Sequence, residues 1–179
     1  MVHACCIVCA INLIDNLRQL GFEPLAYYYN PNIHPKAEYD QRLRSFQKYF
    51  FGKIETLVGN WEVKKYFNKV KKTQNRCCFC YELRLENTFQ MAKLLNINAV
   101  TTTLLVSKLQ QKEQILKIAK RLSKKYNIKF ISNNFDELFE SSIKKAQKEK
   151  VYVQSYCGCI YSLMEKYEEK YQLSLRGTR

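Results

Sequence analysis

Met1-Val2-His3-Ala4 is a short apolar lead, and Cys5-Cys6-Ile7-Val8-Cys9 follows it directly. The lead predicts a very short strand. From Ala10 to Leu20 the residues Leu13, Leu17 and Leu20 recur at helical spacing, and Gly21 is a good terminator. Two adjacent thiols with a third one turn later are a poor choice for packing. They are a good choice for gripping something with soft, metal-like chemistry.

Outward from this start, strand and helix alternate. Leu25–Tyr29, Ile54–Val58, Ile97–Val106 (with its following loop) and Ile128–Ile131 predict strands. Helices are expected at Ala37–Phe51, Glu62–Val70, Tyr81–Leu95, Lys112–Tyr126, Asp136–Lys148 and Tyr161–Tyr171. Asn30-Pro31-Asn32-Ile33-His34-Pro35 is a loop by its turn chemistry, and Val151–Cys159 is irregular. The alternation predicts α/β architecture: an open, mainly parallel sheet with helices on both faces. Such sheets work at the carboxyl ends of their strands. Cys5, Cys6 and Cys9 fall at such an end, where a helix amino terminus favours thiolates or an anionic cluster.

The 179 residues are expected to form one domain, residues 1–179, with 46% apolar and 26% charged residues. The formal charge of +14 suits an acidic polymer, most simply nucleic acid. A solvated basic surface is the plainer account of the same charge. No apolar run reaches membrane-spanning length, and the start lacks the layout of a signal peptide. A cytoplasmic, reducing location is therefore expected, with no membrane partner. In that setting eight cysteines point to metal or redox chemistry, not disulfides.

All eight cysteines fall in three groups: Cys5, Cys6 and Cys9; Cys77, Cys78 and Cys80; Cys157 and Cys159. Cys6 to Cys9 and Cys77 to Cys80 each leave a two-residue gap, which lets two thiolates reach one metal or one cluster edge. Gly158 lets the backbone turn so that both neighbouring sulfurs face one side. Cysteines used only for packing would be scattered. Structural zinc wants four ligands per site and usually staples small, loop-rich domains, whereas this chain has a full core. Iron–sulfur chemistry fits better.

Several stretches, in order, resemble one family, the QueH epoxyqueuosine reductases. They are His3-Ala4-Cys5-Cys6-Ile7-Val8-Cys9; Tyr29-Asn30-Pro31-Asn32-Ile33-His34-Pro35 with Glu38-Tyr39 and Arg42; Arg76-Cys77-Cys78-Phe79-Cys80-Tyr81 with Arg84-Leu85; Thr102-Thr103-Leu104-Leu105 with Ser107; and Gln154-Ser155-Tyr156-Cys157-Gly158-Cys159-Ile160-Tyr161-Ser162. The resemblance implies a fold like the adenine nucleotide alpha-hydrolase (HUP-like) group. It implies reduction of epoxyqueuosine to queuosine in the tRNA anticodon loop, with a [4Fe-4S] cluster and a nearby mononuclear iron. The implied metal ligands are Cys5, Cys6, Cys9, Cys77, Cys80, Cys157 and Cys159, with Cys78 dispensable. The sequence departs from the family at Ile7-Val8 in place of Ala-Pro, at Lys108 in place of a proline, at Asp136-Glu137 in place of a basic stretch, and in a shorter first strand.

Removing an epoxide oxygen needs two electrons and two protons, so a redox cofactor and an external electron donor are expected. Seven thiolates suit a four-cysteine cluster (Cys5, Cys6, Cys77, Cys80) beside a three-cysteine iron (Cys9, Cys157, Cys159). Spacing alone leaves that partition open. His34 and Tyr156 are candidate catalytic proton donors, the phenol on the expectation that a nearby cation acidifies it. A loop-fixing hydrogen bond is the alternative for His34. For tRNA phosphates, Lys64, Lys65, Lys69, Lys71 and Lys72 form one basic stretch. Lys117, Lys120, Arg121, Lys124 and Lys125 form another, with Lys64, Lys65, Lys120 and Arg121 the leading RNA contacts. Tyr27, Tyr28 and Tyr29 alternate, so at least one is core. Two other functions remain open: a structural zinc-binding RNA protein without redox activity, and a tRNA-modifying ATP pyrophosphatase. The second would need a Ser-Gly-Gly phosphate loop after the first strand, where cysteines stand instead.

Overall fold

The computed structural model describes residues 1–71, 73 and 75–176. Its elements run β1 (Val2–His3), α1 (Ile7–Gln19), β2 (Ala26–Tyr28), α2 (Lys36–Phe50), β3 (Thr56–Val58), α3 (Val63–Val70), α4 (Arg76–Leu94) and β4 (Ala99–Thr102). A 3-10 turn at Thr103–Leu105 precedes α5 (Lys112–Tyr126), β5 (Lys129–Phe130), α6 (Leu138–Lys148) and α7 (Ile160–Arg176). The five strands lie in the order β3-β2-β1-β4-β5, and every pairing is parallel. This is the open, Rossmann-like α/β sheet that the alternation predicts.

Right-handed crossovers put α1 and α2 on one face and α4 and α5 on the other. Helix α6 joins α1, and α3 joins α4. With both faces covered, the central strands are buried throughout, and their polar residues His3, Thr101 and Thr102 are hydrogen-bonded. Tyr27, Tyr28 and Tyr29 are accordingly all buried. Tyr28 packs against Tyr39 and Phe46 of α2, at ring-centroid distances of 5.5 and 5.8 Å. Tyr27 and Tyr29 face the other way and stack on each other at 6.0 Å. Tyr27 also donates to Asn87 Oδ1 of α4 at 2.6 Å. All three are core; none is a stacking platform for bases.

Helix α1 is wedged between the sheet and its neighbours, which is why Ile7, Val8, Ala10, Ile11, Leu13, Ile14 and Leu17 are all buried. It ends where Gly21 takes φ +82°. The Gly21 and Phe22 amides there cap the Arg18 and Leu17 carbonyls. Helix α5 buries the expected stripe of Ile115, Ile118, Ala119 and Leu122. Among the described residues no helix is long and apolar enough to cross a membrane.

Two boundaries differ from expectation in a way that matters for the site. Helix α4 begins at Arg76, so Cys77, Cys78 and Cys80 lie in its first turns and not before it. The Asn75 side chain caps it by accepting the Cys78 N–H at 3.1 Å. Strand β4 stops at Thr102 and hands over to the 3-10 turn, because the Thr102 hydroxyl accepts the Leu104 N–H at 3.2 Å. The sheet's order reverses between β1 and β4. Their carboxyl ends therefore open a crevice.

Candidate active site

All three cysteine groups reach that crevice on the starts of helices. Cys6 is the N-cap residue of α1, with Cys9 in its first turn. Cys77 and Cys80 begin α4, and Cys157 and Cys159 immediately precede α7. Cys5 and Cys6 sulfurs are 3.9 Å apart. The Cys5 N–H donates to Thr103 Oγ1 at 3.3 Å, a bond that crosses the point of strand reversal. All eight cysteines are free thiols.

A cavity of about 160 Å³ lies among them. Cys5, Cys6, Cys9 and Cys157 line it, with Arg42, Arg84, Gln110, Gln154 and Tyr156. Val8, Leu104, Phe139 and Ile143 supply apolar wall. Two glutamine amides address its sulfurs: Gln154 Nε2 lies 3.1 Å from Cys6 Sγ, and Gln110 Nε2 lies 3.7 Å from Cys157 Sγ.

The thiols perturb one another. Its hydrogen bond with Cys6, then burial, holds Cys5 well above the ordinary thiol range. Cys6 is pushed up to about 12: the bond with Cys5 pulls it down, but contact with Cys9 and burial outweigh that. Burial pushes Cys80 up to about 12, opposed by Arg84 and reinforced by Cys157 and Cys159. Cys77 is raised by burial and then by Cys157 and Cys159. Cys157 is raised by burial and then by Cys159, with Cys5 also contributing. The three groups are thus electrostatic neighbours. Cys157 neighbours both Cys159 and Cys5, so it links the carboxyl-terminal group to the amino-terminal one.

Two arginines complete the site. Arg84 of α4 is 2% exposed. It donates to Asn30 Oδ1 at 2.9 Å and to His3 Nε2 at 3.3 Å, and its Nη1 lies 3.9 Å from Cys80 Sγ. Burial, then Arg84 itself, keeps His3 neutral. His3 Nδ1 is hydrogen-bonded with Thr102 Oγ1 at 2.9 Å, and its Nε2 also lies 3.2 Å from the Tyr29 carbonyl. Asn30 Nδ2 donates to the Ala4 carbonyl at 2.8 Å, which ties the asparagine–proline loop to β1. Among the described residues no carboxylate pairs with Arg84. A buried guanidinium without a counter-ion costs several kcal/mol, so the site calls for anions. The nearest that this chain can offer are thiolates.

Arg42 of α2 pairs with Glu38 at 2.6 Å. Its other nitrogens donate to the Cys157 carbonyl at 3.1 Å and the Tyr156 carbonyl at 2.9 Å. It thereby holds the Tyr-Cys-Gly-Cys turn. Gly158 sits against it at φ +123°, and a Cβ there would come 3.0 Å from Arg42 Nη1 and 3.2 Å from Ile33 Cγ1. Only glycine fits both the conformation and the space.

The proposed proton donors are placed differently from expectation. Tyr156 lines the cavity, and the Arg42 guanidinium is 5.4 Å from its ring centroid. That cation does not win. Burial, then Glu38, pushes the phenol up to about 12, so it keeps its proton at neutral pH. Its hydroxyl donates to the His34 carbonyl. The His34 ring is not among the cavity's lining residues. It packs against Phe67, Tyr66 and Trp61 at centroid distances of 4.7, 5.3 and 6.2 Å. Its nitrogens make no hydrogen bond of good geometry among the described residues; burial lowers its pKa, opposed by the neighbouring Asn32 backbone. The loop is fixed by the His34 backbone, whose N–H donates to the Gly158 carbonyl at 2.7 Å.

The basic stretches also resolve. Lys65 pairs with Glu62 at 3.4 Å, and Arg121 with Glu82 at 2.7 Å. Lys125 pairs with Glu86 at 2.6 Å. Lys64 and Lys120 are exposed, and Lys72 lies outside the described residues.

Among the described residues no three Cys, His, Asp or Glu side chains are already drawn tightly enough together to grip an ion. The donor set nevertheless fits iron–sulfur chemistry in kind: soft sulfurs from three chain segments, amide donors to those sulfurs, and an uncompensated buried cation.

Grouped free thiols beside two buried arginines, at the reversal point of an open parallel sheet, define the molecule as an α/β protein with a thiol-rich site. The model of the family described as Epoxyqueuosine reductase QueH matches residues 1–165. The chain belongs to that family, and it is an oxidoreductase. A relative from Thermotoga maritima, named Epoxyqueuosine reductase QueH, is 30% identical over 97% of this chain and 95% of its own. One of the same name from Dehalococcoides mccartyi is 27% identical over 93% of each chain. Another from Helicobacter pylori is 30% identical over 91% of this chain, which spans 49% of that longer protein.

Proposed function

We propose that the chain reduces epoxyqueuosine to queuosine in the anticodon loop of tRNA. The observation that carries the proposal is Arg84: a buried cation with no carboxylate, set among thiols from all three groups of a chain belonging to this family. The balance is one epoxide, two electrons and two protons giving one alkene and one water. An external donor supplies the electrons.

Cys5, Cys6, Cys9, Cys77, Cys80, Cys157 and Cys159 would hold a [4Fe-4S] cluster and a single iron. When bound, these groups supply electrons and polarise the epoxide oxygen.

The chain's own residues do the rest. Arg42 and Arg84 lower the cost of anionic sulfur. Gln110 and Gln154 hold two of the sulfurs in place. Val8, Leu104, Phe139 and Ile143 keep water from the cavity. Tyr156 holds a proton on its phenol oxygen at the cavity wall. The test is anaerobic incubation of the iron-loaded enzyme with epoxyqueuosine-bearing tRNA and a chemical reductant, followed by nucleoside analysis. Queuosine is the expected product. A colourless, zinc-loaded protein that leaves the nucleoside unchanged would refute the proposal and favour a structural zinc site.

A further inference from the structure

The tRNA must present its wobble base to the cavity while the anticodon stem lies along the protein. In the two basic stretches singled out from sequence, carboxylates neutralise Lys65, Arg121 and Lys125, while Lys64, Lys117, Lys120 and Lys124 are exposed and form no ion pair among the described residues. A third surface, next to the cavity, also carries free cations. A depression of about 570 Å³ runs between α2 and residues 149–152. It carries Arg44, Lys48, Lys53 and Lys150, all exposed. Among the described residues none of the four is ion-paired. The one carboxylate lining the depression, Glu149, is engaged by the Tyr49 phenol. Lys53 Nζ is held 3.8 Å from the Tyr49 ring centroid, at the floor. Beside it Phe51 is 88% exposed, an unpartnered ring at the end of a row of cations.

This surface is joined to the cavity. The Tyr152 hydroxyl donates to Glu38 Oε2 at 2.6 Å, and Glu38 pairs with Arg42 of the cavity wall. Residues 152–156 thus run from the rim of the groove to the rim of the cavity. From Gln41 to Phe51 the groove follows α2 for about 15 Å. Unneutralised cations beside one exposed aromatic ring are what a phosphate backbone and an unstacked base require.

We infer that this groove along α2 binds the phosphates of the tRNA stem while the modified base enters the cysteine cavity. The inference rests on the tRNA substrate proposed above.

The test uses the full-length, iron-loaded enzyme and tRNA carrying epoxyqueuosine. Binding is measured over a salt series from about 50 to about 300 mM. In Lys48→Ala/Lys53→Ala the slope of log Kd against log salt should fall by about 2, and binding at about 0.15 M salt should weaken roughly 30-fold. Arg44→Gln/Lys150→Gln, a second pair sharing no residue with the first, should give the same slope change. Lys64→Ala/Lys65→Ala should change the slope by less than about 1. If the wild type converts the tRNA but both groove variants keep its slope, the surface is refuted and the activity stands. If the wild type neither binds nor converts the tRNA, the activity falls and the groove with it.

Discussion

Replacing Arg84 with methionine separates the site's chemistry from the fold that carries it. The variant removes the donor to Asn30 Oδ1, and a buried acceptor left bare costs about 1–3 kcal/mol; His3 Nε2 keeps its contact with the Tyr29 carbonyl. The variant also removes a buried charge that lacks a carboxylate partner among the described residues, and that relief is worth several kcal/mol. The two effects oppose each other. The metal-free protein should therefore change stability by no more than about 2 kcal/mol either way, a shift in thermal midpoint of at most about 8 °C.

Iron loading should respond differently. Each ligand cysteine must lose its proton to bind, and Cys80 Sγ is 3.9 Å from the Arg84 guanidinium. At that distance, with an effective dielectric constant near 20, the charge is worth about 4 kcal/mol to the thiolate. Half of that is about a 30-fold loss of iron affinity, and the pH at which half the iron is retained should rise by about one unit or more. Arg84→Lys, which keeps charge but loses the fork, should fall between methionine and the wild type. The assay is anaerobic reconstitution of all three proteins, with iron per chain measured against pH beside thermal melts of the metal-free forms. Superimposable iron curves for wild type and Arg84→Met would refute the electrostatic argument. So would iron loss that merely tracks unfolding.

The metal-free protein should lose stability at alkaline pH. Cys6 and Cys80 are raised to about 12 in the fold, so the native state retains protons that the unfolded chain releases near its ordinary thiol pKa. The stability is therefore complete below about pH 8.5 and lost as pH rises towards 12, at about 1.4 kcal/mol per pH unit for each retained proton; a flat urea midpoint between about pH 8 and 10 contradicts this. Gly158→Ala forces a side chain against Arg42 at a positive φ. It should cost about 1–3 kcal/mol, and a thermal midpoint within about 1 °C of wild type argues against the strain. Gln154→Leu removes the amide donor to Cys6 and should lower the reduction potential of the loaded enzyme in a redox titration, with iron content near wild type. Tyr156→Phe removes the protonated phenol and should lower kcat by about 100-fold or more without changing iron content. Unchanged kcat assigns the proton to another group.

The sheet was legible because both faces of β1, β2 and β4 are covered. Burial on two sides favours short runs of apolar, aromatic and β-branched residues, and the amphipathic helices between them stand out by contrast. The cysteine groups were legible because they are grouped at all. The start of α4 was set five residues late, at Tyr81, because the cysteine group was read apart from the helix that follows it. The signal lay one residue before Arg76, in Asn75, a residue type that caps helices. Arg42 and Arg84 were harder. In a chain with 30 Lys and Arg, composition marks neither as special. Their positions did carry information: Arg42 falls on the stripe of Tyr39, Phe46 and Phe50, and Arg84 lies one turn after Cys80 and one turn before Thr88. A charged residue on the buried stripe of a helix is a stronger pointer to a site than an exposed basic run. Lys65 and Arg121 show the converse, since Glu62 and Glu82 are close neighbours only once the chain is folded or coiled.

The design problem that this fold solves is electrostatic. Seven sulfurs that would have to be anionic to bind the proposed metals are brought to one crevice, and burial drives Cys5, Cys6 and Cys80 the other way. Three features oppose that drive. Each cysteine group sits at the amino end of a helix, where free N–H groups and the helix dipole favour negative charge; the Ser162 N–H, 3.4 Å from Cys159 Sγ, is one example. The two buried guanidiniums add full positive charges on either side of the cavity. The glutamine amides supply hydrogen bonds to sulfurs that the helix ends do not reach. A site built this way should hold protons when empty and metal when loaded, with the arginines deciding the pH at which one replaces the other. That is why Arg84, which is not itself a candidate ligand, is the residue whose replacement is most informative.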